Sequence, residues 1–324
     1  MNQLPKPTMS LLDGATGAGV KPRSLGSSLP VANVQDLAAR SGDLTPQVLH
    51  RYLRDAEVLS NSNDDAASVP IVNLGRLLDP EHADEESAKL RYACEDWGFF
   101  QVLNHGVPGE IIDDVKENLK GFFQLPLAEK QADSLVRYSV EVQRVATDLL
   151  RIMAKNLGVA DTEKLTTIAG AQSMRMNYYP PCPQAHDKVL GLSPHSDAVG
   201  LTLLLQVSPV TGLQIRHKGE WIPVTPLPGA LIANVGDVIE VLTNGRYKSI
   251  EHRAVVNARE ERVSVATFHQ ARFGEMYGPL EELVVGGGEA PRYRTISVED
   301  YLKLVFSSKL DGKNIMDAMK IIDP

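Results

Sequence analysis

Two hydrophobic periods divide the chain. Between residues 85 and 157 apolar positions recur at spacings of three and four, the signature of helices with one buried face. Leu90, Ala93, Cys94 and Trp97 align over 85–97; Ile111, Val115, Leu119 and Phe122 align over 110–123; Tyr138, Val142, Val145, Leu149 and Met153 align over 135–157. Gly158 follows the third helix as a stop signal. Short apolar runs at 70–74 and 99–103 predict strands, the second closed by the turn Asn104-His105-Gly106. From Ser173 onward the period becomes two. Segments 173–179, 201–207, 213–217, 220–226, 230–235, 237–242, 249–257 and 262–269 all read as strands. Turns such as Lys218-Gly219, Pro228-Gly229 and Thr243-Asn244-Gly245 separate them. Many short, evenly spaced strands predict a sandwich or barrel, not alternating βαβ units. A last helix is expected over 298–306. The predicted fold is mainly β with flanking helices.

Composition narrows this picture. The chain has 324 residues, with 43% hydrophobic and 23% charged. These values exclude a disordered chain, a collagen and a coiled-coil rod. A net charge of −8 without a long basic run argues against nucleic-acid or anionic-membrane binding. No run approaches the apolar length of a transmembrane helix. Cys94 and Cys182 are too few for a disulfide framework and fit a reducing compartment, hence a cytoplasmic location. The polar stretch 61–68 reads as a linker, and 1–31 as an extension without a secretory leader's apolar core. Five regions are expected: 1–68 extension and linker, 69–132 N-terminal module, 133–168 long helix and connection, 169–272 β core, and 273–324 helical tail.

The candidate chemistry lies in the β region. His195 and Asp197 are two residues apart on an extended segment and so point the same way. His252 lies in a later predicted strand. Two histidines and one carboxylate form the facial triad of non-haem Fe(II) oxygenases, which leaves coordination positions open. On these three residues alone a zinc hydrolase site, or ordinary histidines, would fit as well. Arg262 and Ser264 share one face of a strand that runs into the core. An inward guanidinium is costly without an anion, and Arg binds carboxylates through two parallel hydrogen bonds. The pair therefore points to a dicarboxylate with its far end on Arg262. Arg175, Asn177 and Tyr179 alternate onto one face of the strand before Pro180-Pro181-Cys182-Pro183. His105, His186, His217 and His269 lack a spaced partner and read as structural. Cys94 reads as core, Cys182 as a turn residue and Gly286-Gly287-Gly288 as a loop.

Taken together, NYYPPCP, HSD, GDVIEVLTNGRYKSIEHRAVVN and RVS resemble the plant 2-oxoglutarate/Fe(II)-dependent dioxygenases. SLGSSLPVANVQDLAA and DWGFFQVLNHGV are similar to the N-terminal segments of the norcoclaurine-synthase-like and senescence-related subgroup. The resemblance implies a double-stranded β-helix core with an N-terminal helical module. It implies Fe(II) on His195, Asp197 and His252. It implies 2-oxoglutarate with its distal carboxylate on Arg262 and Ser264, and Asn177 and Tyr179 near the cosubstrate. It also implies O2 as co-reactant, ascorbate as reductant and a small organic substrate for a monomeric enzyme. That substrate is hydroxylated, desaturated or O-demethylated as 2-oxoglutarate becomes succinate and CO2. Against the family pattern, several dozen residues are absent between LAEKQA and DSLVRYSVEVQ, at Ala132–Asp133. The absent stretch usually borders the active site. The chain therefore also reads as an impaired relative that keeps its metal site and lacks part of the substrate pocket.

Overall fold

The computed structural model describes residues 68–122, 133–183, 186–286, 288–307 and 314–321. The extension 1–67, the junction before Asp133 and Gly287 lie outside the described residues.

A six-stranded sheet has the order β1-β2-β8-β5-β10-β3. Its members are β1 (Ile71–Asn73), β2 (Phe99–Leu103), β8 (Leu231–Val235), β5 (Leu201–Gln206), β10 (Arg262–Gln270) and β3 (Ala171–Tyr179). A four-stranded sheet has the order β4-β9-β6-β7, from β4 (Leu190–His195), β9 (His252–Val255), β6 (Leu213–His217) and β7 (Glu220–Pro223). Leu213, Ile215 and Ile222 of the small sheet form one apolar cluster with Phe99, Leu204, Ile232 and Ala266 of the large one. The two sheets therefore face each other, as a double-stranded β-helix requires.

The opposite face of the large sheet packs on helices. Leu201, Leu203, Leu205, Ala233, Val235 and Val265 join a second cluster with Val142, Val145, Leu149 and Met153. The helical partners come from α3 (Asp133–Asn156), which lies with α1 (Ala83–Tyr92) and α2 (Gly109–Phe122) on that side. The 3.6-residue period of 135–157 exists to cover this surface. None of the described helices is long and apolar enough to cross a membrane.

Two local structures differ from the sequence reading. Residues 237–242 were expected as a strand but form the helix α4 (Asp237–Leu242), with Glu240 N–H donating to Gly236 and Thr243 N–H to Ile239. All six residues are buried. A segment enclosed on every side, the acids Asp237 and Glu240 included, offers no apolar face to read, so the β-branched Val238, Ile239 and Val241 mislead there. The predicted helix 85–97 divides: α1 ends at Tyr92, and Ala93–Trp97 form a π-helical turn. Gly98 stops it at φ +62°, where a Cβ would lie 2.2 Å from the Lys248 carbonyl. That close approach feeds the chain directly into β2 and Phe99. The last helix, α5 (Val298–Ser307), falls where expected.

Candidate metal and cosubstrate site

β4 and β9 are neighbours, and their register places His195 opposite His252. Asp197 follows two residues after β4. The ligating atoms of these three residues lie within 4.8 Å of one another, and all three side chains are buried. Asp197 Oδ1 is 3.7 Å from His195 Nε2 and 3.6 Å from His252 Nε2. Among the described residues no other group of three or more His, Cys, Asp or Glu converges this way.

The protonation states suit a metal. His195 Nδ1 lies 2.7 Å from the Ser193 carbonyl. A carbonyl only accepts, so Nδ1 donates to it and Nε2 is the ring nitrogen turned toward the centre. Burial pushes His252 down to about 4 against the opposing pull of Asp197, so its imidazole is neutral at pH 7. Burial would raise the Asp197 carboxyl. The two imidazoles and hydrogen bonds from Asn234 and Thr202 outweigh it and hold the pKa below the ordinary carboxylate value. Phe99 meets His252 edge-on at 5.3 Å and closes that side of the centre.

The other end of the cleft is built on β10 and β3, paired so that Arg262 faces Tyr179 and Ser264 faces Asn177. Arg262 is 3% exposed and Ser264 fully buried. Gln206 Oε1 accepts from Arg262 Nη2 at 2.9 Å, while Gln206 Nε2 donates to the carbonyls of Ser208 and Val210. These two donations fix which end of the amide meets the guanidinium. The Arg262 guanidinium also lies 5.4 Å from the centre of the Tyr179 ring. Its Nε is buried without a hydrogen-bond partner. A buried guanidinium with an idle donor is the feature a carboxylate would complete. Burial lowers its pKa, with Tyr179 opposing, but arginine remains cationic.

All seven residues singled out from the sequence line this one cleft of about 130 Å³: His195, Asp197, His252, Arg262, Ser264, Asn177 and Tyr179. Asn177 Nδ2 reaches Ser264 Oγ only at 3.5 Å. The sequence reading missed Thr202, Asn234 and Gln206. Asn234 and Thr202 were legible in principle, as polar residues inside apolar strands. It also missed two glycines that make room. A Cβ at Gly212 would lie 2.7 Å from Arg262 Cδ, and one at Gly191 would lie 2.5 Å from the Tyr179 ring. Of the histidines set aside, His105, His217 and His269 are structural, and His186 is exposed. His105 Nε2 meets the Gly229 carbonyl, His217 stacks on Trp97 at 3.9 Å, and His269 meets Gln172 and the Leu201 carbonyl.

The signature of the 2OG-Fe(II) oxygenase superfamily matches residues 170–271, and that of the N-terminal region of non-haem dioxygenases in morphine synthesis matches 69–145. Protein SRG1 of Arabidopsis thaliana is 39% identical over 353 residues, covering 91% of this chain and 98% of its own length.

The chain belongs to the 2-oxoglutarate/Fe(II) oxygenase family.

S-norcoclaurine synthase 1 of Coptis japonica is likewise 39% identical, over 92% of this chain and 98% of its own. A crystal structure of JOX2 in complex with 2OG, Fe and JA superposes with a TM-score of 0.77 at 30% identity, covering 91% of this oxygenase and 99% of that chain. The SRG1 alignment runs over 353 positions but engages only 91% of a 324-residue chain. Several dozen positions of the relative therefore have no counterpart in this oxygenase.

Proposed function

We propose that His195, Asp197 and His252 hold Fe(II), and that Arg262 and Ser264 bind the distal carboxylate of 2-oxoglutarate. The observation that carries this reading is the pairing, in one buried cleft, of a three-ligand centre with an arginine whose Nε lacks a partner. The donor set of two imidazoles and one carboxylate suits Fe(II) and leaves positions for other ligands. Bound Fe(II) supplies the redox chemistry, using O2 to convert 2-oxoglutarate to succinate and CO2 while the second oxygen atom oxidises the substrate. The protein's residues do the rest. Gln206 aims the Arg262 guanidinium, Tyr179 walls it from solvent, and Phe99 and Leu204 keep the metal end apolar. Exclusion of water strengthens the Arg–carboxylate contact. The substrate is a small organic molecule that is hydroxylated, desaturated or O-demethylated, with ascorbate as the external reductant. The enzyme acts as a monomer in the cytoplasm, which fits its two free cysteines.

Succinate release in the presence of Fe(II), 2-oxoglutarate and ascorbate tests this. The parent chain should turn over, and His195→Ala should bind neither iron nor cosubstrate. Parent-like turnover by His195→Ala would refute the ligand assignment. The positions without counterpart favour a second reading, in which oxidation is uncoupled from substrate. β3 ends the large sheet, none of its residues is fully buried, and Arg175 on it is exposed. Succinate formed without oxidised product would support that second reading, and stoichiometric product would exclude it.

A further inference from the structure

A row of cross-strand neighbours runs under the metal end of the cleft. Phe99 of β2 is opposite Asn234 of β8, and Asn234 is opposite Thr202 of β5. Neighbours directly opposite on adjacent strands present their side chains to the same face. Here both polar members converge on a single atom. Thr202 Oγ1 donates to Asp197 Oδ2 at 2.6 Å, and Asn234 Nδ2 donates to the same oxygen at 2.8 Å. All three residues are buried. The other oxygen, Oδ1, is the one that faces His195 and His252. The carboxylate is thus divided: one oxygen held by the sheet, the other presented to the centre.

We infer that Thr202 and Asn234 are positioning residues that hold Asp197 to one coordinating oxygen and so keep a coordination position free for the cosubstrate. This rests on the reading that the triad binds Fe(II). A free carboxylate can coordinate through one oxygen or both. An octahedral ion with two imidazoles and a single carboxylate oxygen has three positions left. Chelation by a 2-oxo acid takes two, and the third remains for O2. If Oδ2 also coordinated, one of these would be lost. An oxygen that accepts two hydrogen bonds has little left to offer a metal. Stripped of both donors in a dry site, it has the ion as its nearest partner.

The test is an anaerobic titration with Fe(II), then 2-oxoglutarate, reading bound metal and the visible charge-transfer band of the chelated 2-oxo acid. The variants are Thr202→Val, Thr202→Val/Asn234→Ala, Thr202→Ser and Asp197→Ala. The double variant should keep its bound Fe(II), while its 2-oxoglutarate affinity falls about tenfold or more and the band weakens. Thr202→Val, nearly isosteric, should show a smaller loss in the same direction, and it carries the test should the double variant fail to fold. Thr202→Ser keeps the hydroxyl and should restore the parent's affinity. Parent-like chelation by Thr202→Val and the double variant would overturn the inference. So would loss of metal together with cosubstrate, which marks a merely structural role. The ligand reading itself would fall instead if Asp197→Ala bound Fe(II) and 2-oxoglutarate like the parent.

Discussion

The two faces of the six-stranded sheet use the same strands for opposite purposes. On β10, Arg262, Ser264, Ala266 and Phe268 line the cleft, whereas Val265 joins the apolar cluster beneath α3. On β5, Thr202 and Leu204 face the cleft, and Leu201, Leu203 and Leu205 face the helices. Strict alternation is what permits this: one residue's shift along the strand exchanges the faces. The helix-facing side is closed by its own packing. The cleft side holds a buried, half-partnered guanidinium and three converging metal-ligand candidates, so it is arranged for groups the chain does not itself supply. The helix-facing side therefore serves stability alone, whereas the cleft side adds binding to its packing, and substitutions should separate the two roles.

The largest effect is expected on the packed face. Leu203 is fully buried, opposite Ala233 and Thr267. Leu203→Ala should cost about 2–5 kcal/mol in denaturant unfolding while leaving cosubstrate affinity per folded molecule unchanged. A large loss of affinity with intact stability would break the separation.

On the neighbouring strand β10, His269 offers a pH test of that face. Burial pushes it down to about 4, against a hydrogen bond to Leu201. An exposed histidine titrates near 6.5, so between the two values the unfolded chain binds more protons. The contribution of a neutral His269 is fully present above about pH 6.5 and lost as pH falls toward 4, by about 3 kcal/mol. His269→Gln should flatten the pH dependence of stability in that window. An unchanged slope would assign the effect to other groups.

Arg262→Leu reverses the pattern. Hydrogen bonds to charged groups contribute about 1.5–3 kcal/mol, so 2-oxoglutarate affinity should fall roughly 10- to 150-fold by calorimetry. The ligand-free protein should be no less stable, because a buried charge has been removed. Marked destabilisation would show that Arg262 holds the fold rather than the cosubstrate.

The alternation that separates the faces was readable in advance, which is why Arg262 with Ser264, and Asn177 with Tyr179, could be assigned to one side from spacing alone. His195 and Asp197 followed from the same geometry. Thr202, Asn234 and Gln206 did not, because a polar residue in an apolar strand announces burial and not its partner: the contact to Asp197 depends on the register of β5 with β8, a long-range fact. Asp237–Leu242 failed for the converse reason, since a run buried on all sides has no period to read. Gly212 gave no signal either, for its value lies in the Arg262 stem that passes beside it.

That glycine yields the smallest and most specific prediction. Its backbone needs no left-handed conformation, so Gly212→Ala tests space alone. The added methyl would sit 2.7 Å from Arg262 Cδ and 2.9 Å from the Val255 carbonyl. The arginine stem can give way, but the carbonyl is held by the sheet, because the Val255 N–H donates back to the Gly212 carbonyl at 2.8 Å, so the Gly212 backbone must shift a little as well. Overpacking of this kind costs about 1 kcal/mol at its mildest, equivalent to about fivefold in 2-oxoglutarate affinity. Metal affinity should not change, because His195, Asp197 and His252 lie at the other end of the cleft. Equal losses at both ends would mean that the methyl disturbs the packing between the sheets. A loss confined to 2-oxoglutarate would show that the position of one guanidinium, set by the absence of one side chain, tunes the carboxylate end independently of the metal.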